Sequence, residues 1–277
     1  MTPGPPREPF GTAGTTHVKA DRSAPAGFFE VEAAGLRWLA EAEASGGARA
    51  VRVLDVRPGQ ITLERLTPAA ATASAARDLG GRLAATHRSG APWFGAPPAA
   101  WAGDGFIGTA LLSHVPSPDH PDAESWGAFY AHRRVLPYLD ASVAAGDLGG
   151  PDADAVREVA VRLAEGDPEL CGPAEPAARL HGDLWAGNVV WTPSAAVLID
   201  PAAHGGHRES DLAMLALFGL THLRDLLAGY DAEWPLGRGW QRRVPVHQLH
   251  PLLVHTVLFG GGYAARAVAA ARRCLAL

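Results

Sequence analysis

The sequence predicts an α+β fold of two lobes. The smaller, residues 1–66, has an antiparallel sheet and one helix, and the larger, residues 67–277, is mostly helical. Three observations predict this. AVRVLDVRP and QITLERL are β-branched runs flanking the turn signal Pro58-Gly59, so they read as paired strands. Composition shifts near Thr67-Pro68 to an alanine-rich stretch with Leu79, Leu83 and His87 at helical spacing. Farther on, NVVW and AVLID, split by Thr-Pro-Ser-Ala, form a hairpin between helical patterns.

Taken in order, His17-Val18-Lys19-Ala20 ends a short strand. Residues 28–44, FFEVEAAGLRWLAEAEA, form a helix with Phe28, Val31, Gly35, Leu36 and Leu39 on its apolar face. The strand pair follows, then a helix over residues 69–89. Residues 91–121 are rich in Pro, Gly and Trp and lack periodicity. Trp93, Phe94, Trp101 and Phe106 argue that this long loop is packed rather than disordered. Helices are expected over residues 123–145 and 152–165. Beyond Asp200 the chain reads as helical, from Glu209–Leu217 to a final run over residues 246–277.

With 277 residues, 47% hydrophobic and 19% charged, the chain can bury a large core. A net charge of −5 and dispersed basic residues give no electrostatic case for nucleic acid. Cys171 and Cys274 are too few for a disulfide framework and lack metal-ligand spacing, which points to a reducing compartment. No run reaches the ~20 apolar residues of a membrane span. MTPGPPREPF has proline where a secretion signal needs an apolar core, so a cytoplasmic location is expected.

The segment Leu180 to Pro201, LHGDLWAGNVVWTPSAAVLIDP, carries the chemistry. His181, Asp183 and Asn188 fit the kinase catalytic-loop pattern H-R-D-x-x-x-x-N, with Gly182 at the Arg position. Asp183 can accept the proton of an attacking hydroxyl. The hairpin returns Asp200 beside Asn188, and their carboxylate and amide oxygens suit Mg²⁺. The structural alternative for each residue is a polar turn or strand exit; four residue types at matched spacing favour the phosphotransfer reading.

Lys19 is the single lysine among 24 Lys and Arg residues. An ammonium is a compact point charge that fits between phosphate oxygens where a planar guanidinium does not. Glu30 and Glu32, on the following helix, are its candidate partners. Glu64-Arg65-Leu66 would form a hinge offering backbone groups to adenine, with a plain edge strand as the alternative.

The chain resembles the fructosamine kinase (ketosamine-3-kinase) family. The resemblance rests on HGDLWAGN at 181–188, DPAAHGGHRESDLAMLALFG at 200–219 and PLLVHTVLFGGGY at 251–263. Weaker support comes from FFEVEAAGLRWL at 28–39, GFIG at 105–108 and WGAFYAHRRVLPYL at 126–139. It implies the protein-kinase-like fold shared with aminoglycoside and choline kinases. It also implies ATP- and Mg²⁺-dependent phosphorylation of the carbon-3 hydroxyl of small or protein-bound ketosamines, which reverses glycation.

Carried over residue by residue, Asp183 is the proton acceptor and Asn188 and Asp200 are the metal ligands. Lys19, paired with Glu32, contacts phosphate; Glu64, Arg65 and Leu66 flank adenine; Asp211 holds the catalytic loop. Trp185, His204, His207 and Arg208 are candidate substrate contacts, with a polar turn capping the next helix as the equal alternative for His207 and Arg208. Two departures stand out. The family usually carries an aromatic pair after Asp-Pro-Ala-x, where this chain has His204-Gly205. Residues 1–18 are short for a glycine-rich strand-loop-strand cover over the phosphates, of which Gly11 and Gly14 would be the remnant. The alternatives are an aminoglycoside- or choline-type kinase, a nucleotide-binding protein without catalysis, and a metal hydrolase built on His181, Asp183, Asp200, His204 and His207.

Overall fold

The computed structural model describes residues 15–277 apart from residue 261. Gly11, Gly14 and the middle of the Gly260–Gly262 triplet lie outside the described residues.

β1 (Thr16–Ala20), β3 (Val53–Arg57) and β4 (Gln60–Glu64) form an antiparallel sheet in the order β1-β4-β3, with Lys19 opposite Ile61. α1 (Phe28–Glu41) runs alongside and buries Phe29, Ala33, Leu36 and Leu39 with Ile61 and Leu63. Each fully buried aliphatic chain of this kind contributes ~1.5–3 kcal/mol, so α1 is held firmly enough to fix Glu32 relative to β1. β2 (Arg49–Ala50), too short to predict, pairs in parallel with β9 (Ala196–Leu198), placing Arg49 opposite Val197. β9 is the return strand of the predicted hairpin with β8 (Val189–Trp191). The first part of the chain is thereby bonded directly to the strand that delivers Asp200.

The rest is mainly helical. α2 (Ala73–Arg88) starts at Thr72, whose hydroxyl accepts the Ala75 N–H at 3.1 Å. The stretch read as aperiodic contains a hairpin, β5 (Gly105–Ile107) with β6 (Ala110–Leu112), and is tied down by Trp93 Nε1 donating to Val115 O at 2.9 Å. α3 (Trp126–Tyr130) and α4 (Leu136–Ala144) replace the single helix expected over 123–145; between them residues Ala131–Val135 form a π-helical turn. α5 (Gly150–Ala164) and the short α6 (Pro168–Cys171) lead to β7 (Ala178–Leu180). After Asp200 the chain is not wholly helical. β10 (His204–Gly206) pairs antiparallel with β7, a strand that His-Gly-Gly hides because it lacks β-branched residues. α7 (Glu209–Phe218), α8 (Leu223–Glu233), α9 (Trp240–Phe259) and α10 (Gly262–Leu275) complete the described chain.

α2 and α8 pack with their backbones nearly touching. A Cβ on Gly80 would fall 2.0 Å from Leu226 O, and one on Gly229 would fall 2.0 Å from Arg77 O. Among the described residues no helix is long and apolar enough to cross a membrane.

Candidate active site

The loop between β7 and β8 is fixed from below by one carboxylate. Asp211, in the first turn of α7, accepts the His181 N–H at 2.8 Å and the Gly182 N–H at 3.0 Å. His87 Nε2 lies 3.2 Å from the same carboxylate, and Tyr230 OH lies 2.8 Å from His87 Nδ1. Burial opposes ionisation of Asp211, but the His87 bond, the neighbouring His87 and His181 rings and the His181 amide hold its carboxyl below the usual range. Gly182 is required here: its φ is 81°, and a Cβ would fall 2.1 Å from Ala202 O. No arginine can therefore stand at that place in the loop. His181 donates from Nε2 to Ile199 O at 2.9 Å, while its Nδ1 accepts the Asp183 N–H at 3.3 Å.

The loop presents Asp183 and Asn188 side by side. Asn188 Nδ2 donates to Asp183 O at 2.8 Å, to Asp183 Oδ2 at 3.1 Å and, more weakly, to Asp200 O at 3.4 Å. Its amide nitrogen is committed, which leaves Oδ1 as the atom free to meet a cation. Burial pushes the Asp183 carboxyl up to about 7; the Asn188 bond opposes this, and the Asp200 and Asp211 charges add to it. A carboxyl tuned near neutrality suits a general base.

Asp200 has φ 55°, a left-handed backbone that is strained for a non-glycine residue preceding proline. Its Oδ1 lies 3.0 Å from Lys19 Nζ, which is also 2.7 Å from Glu32 Oε1. Burial alone would lower the lysine pKa, but the Glu32 and Asp200 charges raise it above its ordinary value. Glu32 rather than Glu30 is thus the partner. The donor set fits Mg²⁺: the Asp200 carboxylate and the Asn188 amide oxygen are hard oxygen ligands, and Asp183 adds negative charge nearby.

Other predicted residues fall elsewhere. Arg65 donates its backbone N–H to Thr15 O at 3.0 Å and its Nε to Thr16 O at 3.2 Å, so that amide is not offered to an adenine. The Glu64 carboxylate is held by Arg49 Nη2 at 2.8 and 2.9 Å, and Leu66 packs at the margin of the α1 core. Arg208 is a correction to the substrate reading: it is buried, and Nε and Nη2 each bond Glu175 at 2.6 Å. His207 is buried and accepts the Glu209 N–H at 3.2 Å, the helix-capping alternative. His204, also buried, donates from Nδ1 to Ala202 O at 2.8 Å and faces an internal chamber. Gly205 has no room for an aromatic side chain, since a Cβ would fall 2.3 Å from Trp93 O.

The five residues of the metal-hydrolase alternative do not converge either. The described residues that do bring ligand atoms together are His207, Glu209 and His247, and Glu209 is already bonded by Arg243 at 3.0 and 2.5 Å.

Trp185 is half exposed just after Asp183, at ring distance 6.2 Å from Phe218. Phe218 lies 4.9 Å from His255, which lies 4.9 Å from Tyr263. Sequence reasoning missed this aromatic rim. Phe259, whose ring lies 5.4 Å from that of His255, extends the rim, and the i, i+4 spacing of these two is its one trace in the sequence. His87 was equally hidden, because it reads as an ordinary core position of α2.

Comparison with known proteins identifies the family. The fructosamine kinase family model matches residues 11–277. A protein named as a ketoamine kinase in Thermus thermophilus is 35% identical over 246 residues, covering 89% of this chain and 82% of that protein. The crystal structure of a protein assigned as a fructosamine-3-kinase from Thermobifida fusca superposes with TM-score 0.84 at 42% identity, covering 95% of this chain and 86% of that one. A choline/ethanolamine kinase family protein from Mesorhizobium loti, 17% identical with TM-score 0.57 over 96% of this chain and 82% of that one, shares the fold. The chain has the two-lobed protein-kinase-like α+β fold and belongs to the fructosamine kinase family.

Proposed function

We propose that this chain is an ATP-dependent kinase that phosphorylates the carbon-3 hydroxyl of ketosamines, the adducts of reducing sugars with amines. The phosphorylated adduct is unstable and releases the amine, so the activity removes glycation. The observation that carries this reading is the meeting of Lys19, Glu32 and Asp200 beside the Asp183–Asn188 pair, in a chain of this family.

Asp183 accepts the proton of the sugar hydroxyl as that oxygen attacks the terminal phosphorus. Its carboxyl, raised to about 7, is ionised at neutral to mildly alkaline pH and takes up that proton readily. Asn188 fixes the carboxylate's orientation through Nδ2 and, with Asp200, would hold Mg²⁺. Bound there, the metal would neutralise charge on the phosphates. Lys19, braced by Glu32, is the compact cation for phosphate oxygens, and Asp211 holds the loop rigid. Residues 64–66 lie beside adenine, with Arg65 contributing no free amide. Trp185 offers a stacking face for the sugar at the aromatic rim.

The test is ATP consumption by the full chain with fructosamine- and ribulosamine-type adducts, beside an aminoglycoside and choline. Turnover confined to the ketosamines supports the reading. Turnover only with an aminoglycoside or choline, or MgATP binding without turnover on any substrate, overturns it.

A further inference from the structure

A chamber lies behind the catalytic loop, bounded by Gly182, Arg134, His204, His207, His247 and His250. Its volume is about 20 Å³, room for a single water-sized body. Arg134 is 1% exposed. Its Nη1 donates to Ser113 O at 2.7 Å and Arg133 O at 3.0 Å, but Nε and Nη2 have no hydrogen-bond partner among the described residues. No carboxylate pairs with it there either, although the described arginine next to it, Arg133, is bonded to Asp122 at 2.6 Å. A guanidinium out of water without a counter-charge is a costly arrangement, and proteins normally compensate it.

The backbone is bent to create it. Arg133 and Arg134 sit on the π-helical turn Ala131–Val135, a rare conformation found mostly at functional sites. That turn sends Arg133 to the Asp122 cluster and Arg134 inward, its guanidinium 4.6 Å from the centre of the Phe129 ring.

The surrounding groups also favour an acceptor. Trp126 Nε1, buried and without a partner among the described residues, can only donate. His207 accepts the Glu209 N–H at Nδ1, so its proton is on the unpartnered Nε2. His204 keeps an acceptor at Nε2, because its Nδ1 donates to Ala202 O, so the donors alone do not decide between water and an anion; what only an anion supplies is the missing charge opposite Arg134. A metal cation fits poorly: His207 Nε2 is protonated, Glu209 is engaged by Arg243, and Arg134 would repel it.

We infer that this chamber binds a monovalent anion of chloride size, with Arg134 as its counter-charge. Sulfate and phosphate are too large for the space. The anion would stabilise the inner wall formed by His204 and Gly182, and so the rear of the catalytic loop.

The test compares chloride, bromide and gluconate at constant ionic strength, reading thermal unfolding of the wild-type chain and of Arg134→Met. Chloride and bromide should raise the wild-type midpoint saturably by about 2–4 °C over gluconate. Arg134→Met should be indifferent to the anion. If that variant does not fold, wild-type crystals grown in bromide decide: an anomalous peak in contact with Arg134 Nε and Nη2 supports the site. Identical midpoints in all three salts, an equal halide effect in Arg134→Met, or bromide crystals with only water at that position would overturn it.

Discussion

Lys19 Nζ lies 3.0 Å from Asp200 Oδ1, although the two residues are 181 positions apart in the chain. The contact joins the edge strand β1 to the exit of the β8–β9 hairpin, and the parallel pairing of β2 with β9 keeps those parts in register. It depends on the compactness of an ammonium group, which also reaches Glu32 at 2.7 Å.

Lys19→Arg keeps the charge and changes the shape. A planar fork cannot meet Glu32, Asp200 and a phosphate in the same geometry. Steady-state kinetics should show turnover lower by a factor on the order of 10², as when one preorganised donor is lost. Wild-type turnover would remove the special role of this lysine.

Asp183→Asn should lower kcat by roughly 10²–10⁴ while leaving ATP affinity intact. In the wild type, kcat/KM should fall as pH drops below about 7, because the base then becomes protonated. A pH-independent rate between 5.5 and 8 would contradict the assignment.

The same raised pKa carries a stability cost of opposite sign to the usual carboxylate. The unfolded Asp183 ionises near its ordinary value of 3.8 and the folded one only at about 7, so stability is lost as pH rises between those values and stays reduced above them. Asp183→Asn should therefore raise the unfolding midpoint at pH 8 by about 5–10 °C and leave it nearly unchanged at pH 4. Scanning calorimetry at the two pH values checks this.

Asp211→Ala would orphan the His181 and Gly182 amides and the His87 imidazole together. Denaturant unfolding should show a loss of about 3–5 kcal/mol, from three buried donors left without an acceptor. Asp211→Asn, which retains an acceptor oxygen, should lose less.

Gly80→Ala tests the α2–α8 contact. The added methyl would sit 2.0 Å from Leu226 O and 2.8 Å from Tyr230 N, both backbone atoms that cannot rotate away. Destabilisation of about 1–3 kcal/mol is expected. A neutral result in chemical denaturation would show that the two helices separate easily.

Much of the fold was legible in the sequence because local chemistry and tertiary need coincide there. Pro58-Gly59 marks a real turn between β3 and β4, and Thr-Pro-Ser-Ala marks the one that returns Asp200 toward Asn188. Lys19 could be singled out by type, with Glu30 and Glu32 on the following helix as its candidate partners. What stayed hidden depends on long-range contact. β10 is a strand because β7 and the Trp93 loop lie against it, not because His-Gly-Gly favours extension. Arg208 looks like a substrate cation until Glu175, far away in sequence, is seen to bind it. Nothing in the sequence marks Arg134 as buried; the π-turn carries it inward. His87 and Tyr230 support the catalytic loop through Asp211 from helices whose patterns show only burial.

The central claim is transfer of phosphate from ATP to one sugar hydroxyl, and it is tested most directly by NMR of the product formed from a fructosamine or ribulosamine and ATP. A single phosphate ester coupled to the carbon-3 proton, appearing in proportion to ATP consumed and absent with Asp183→Asn, is the predicted result. Phosphate at another position, or inorganic phosphate with unaltered sugar, would contradict it.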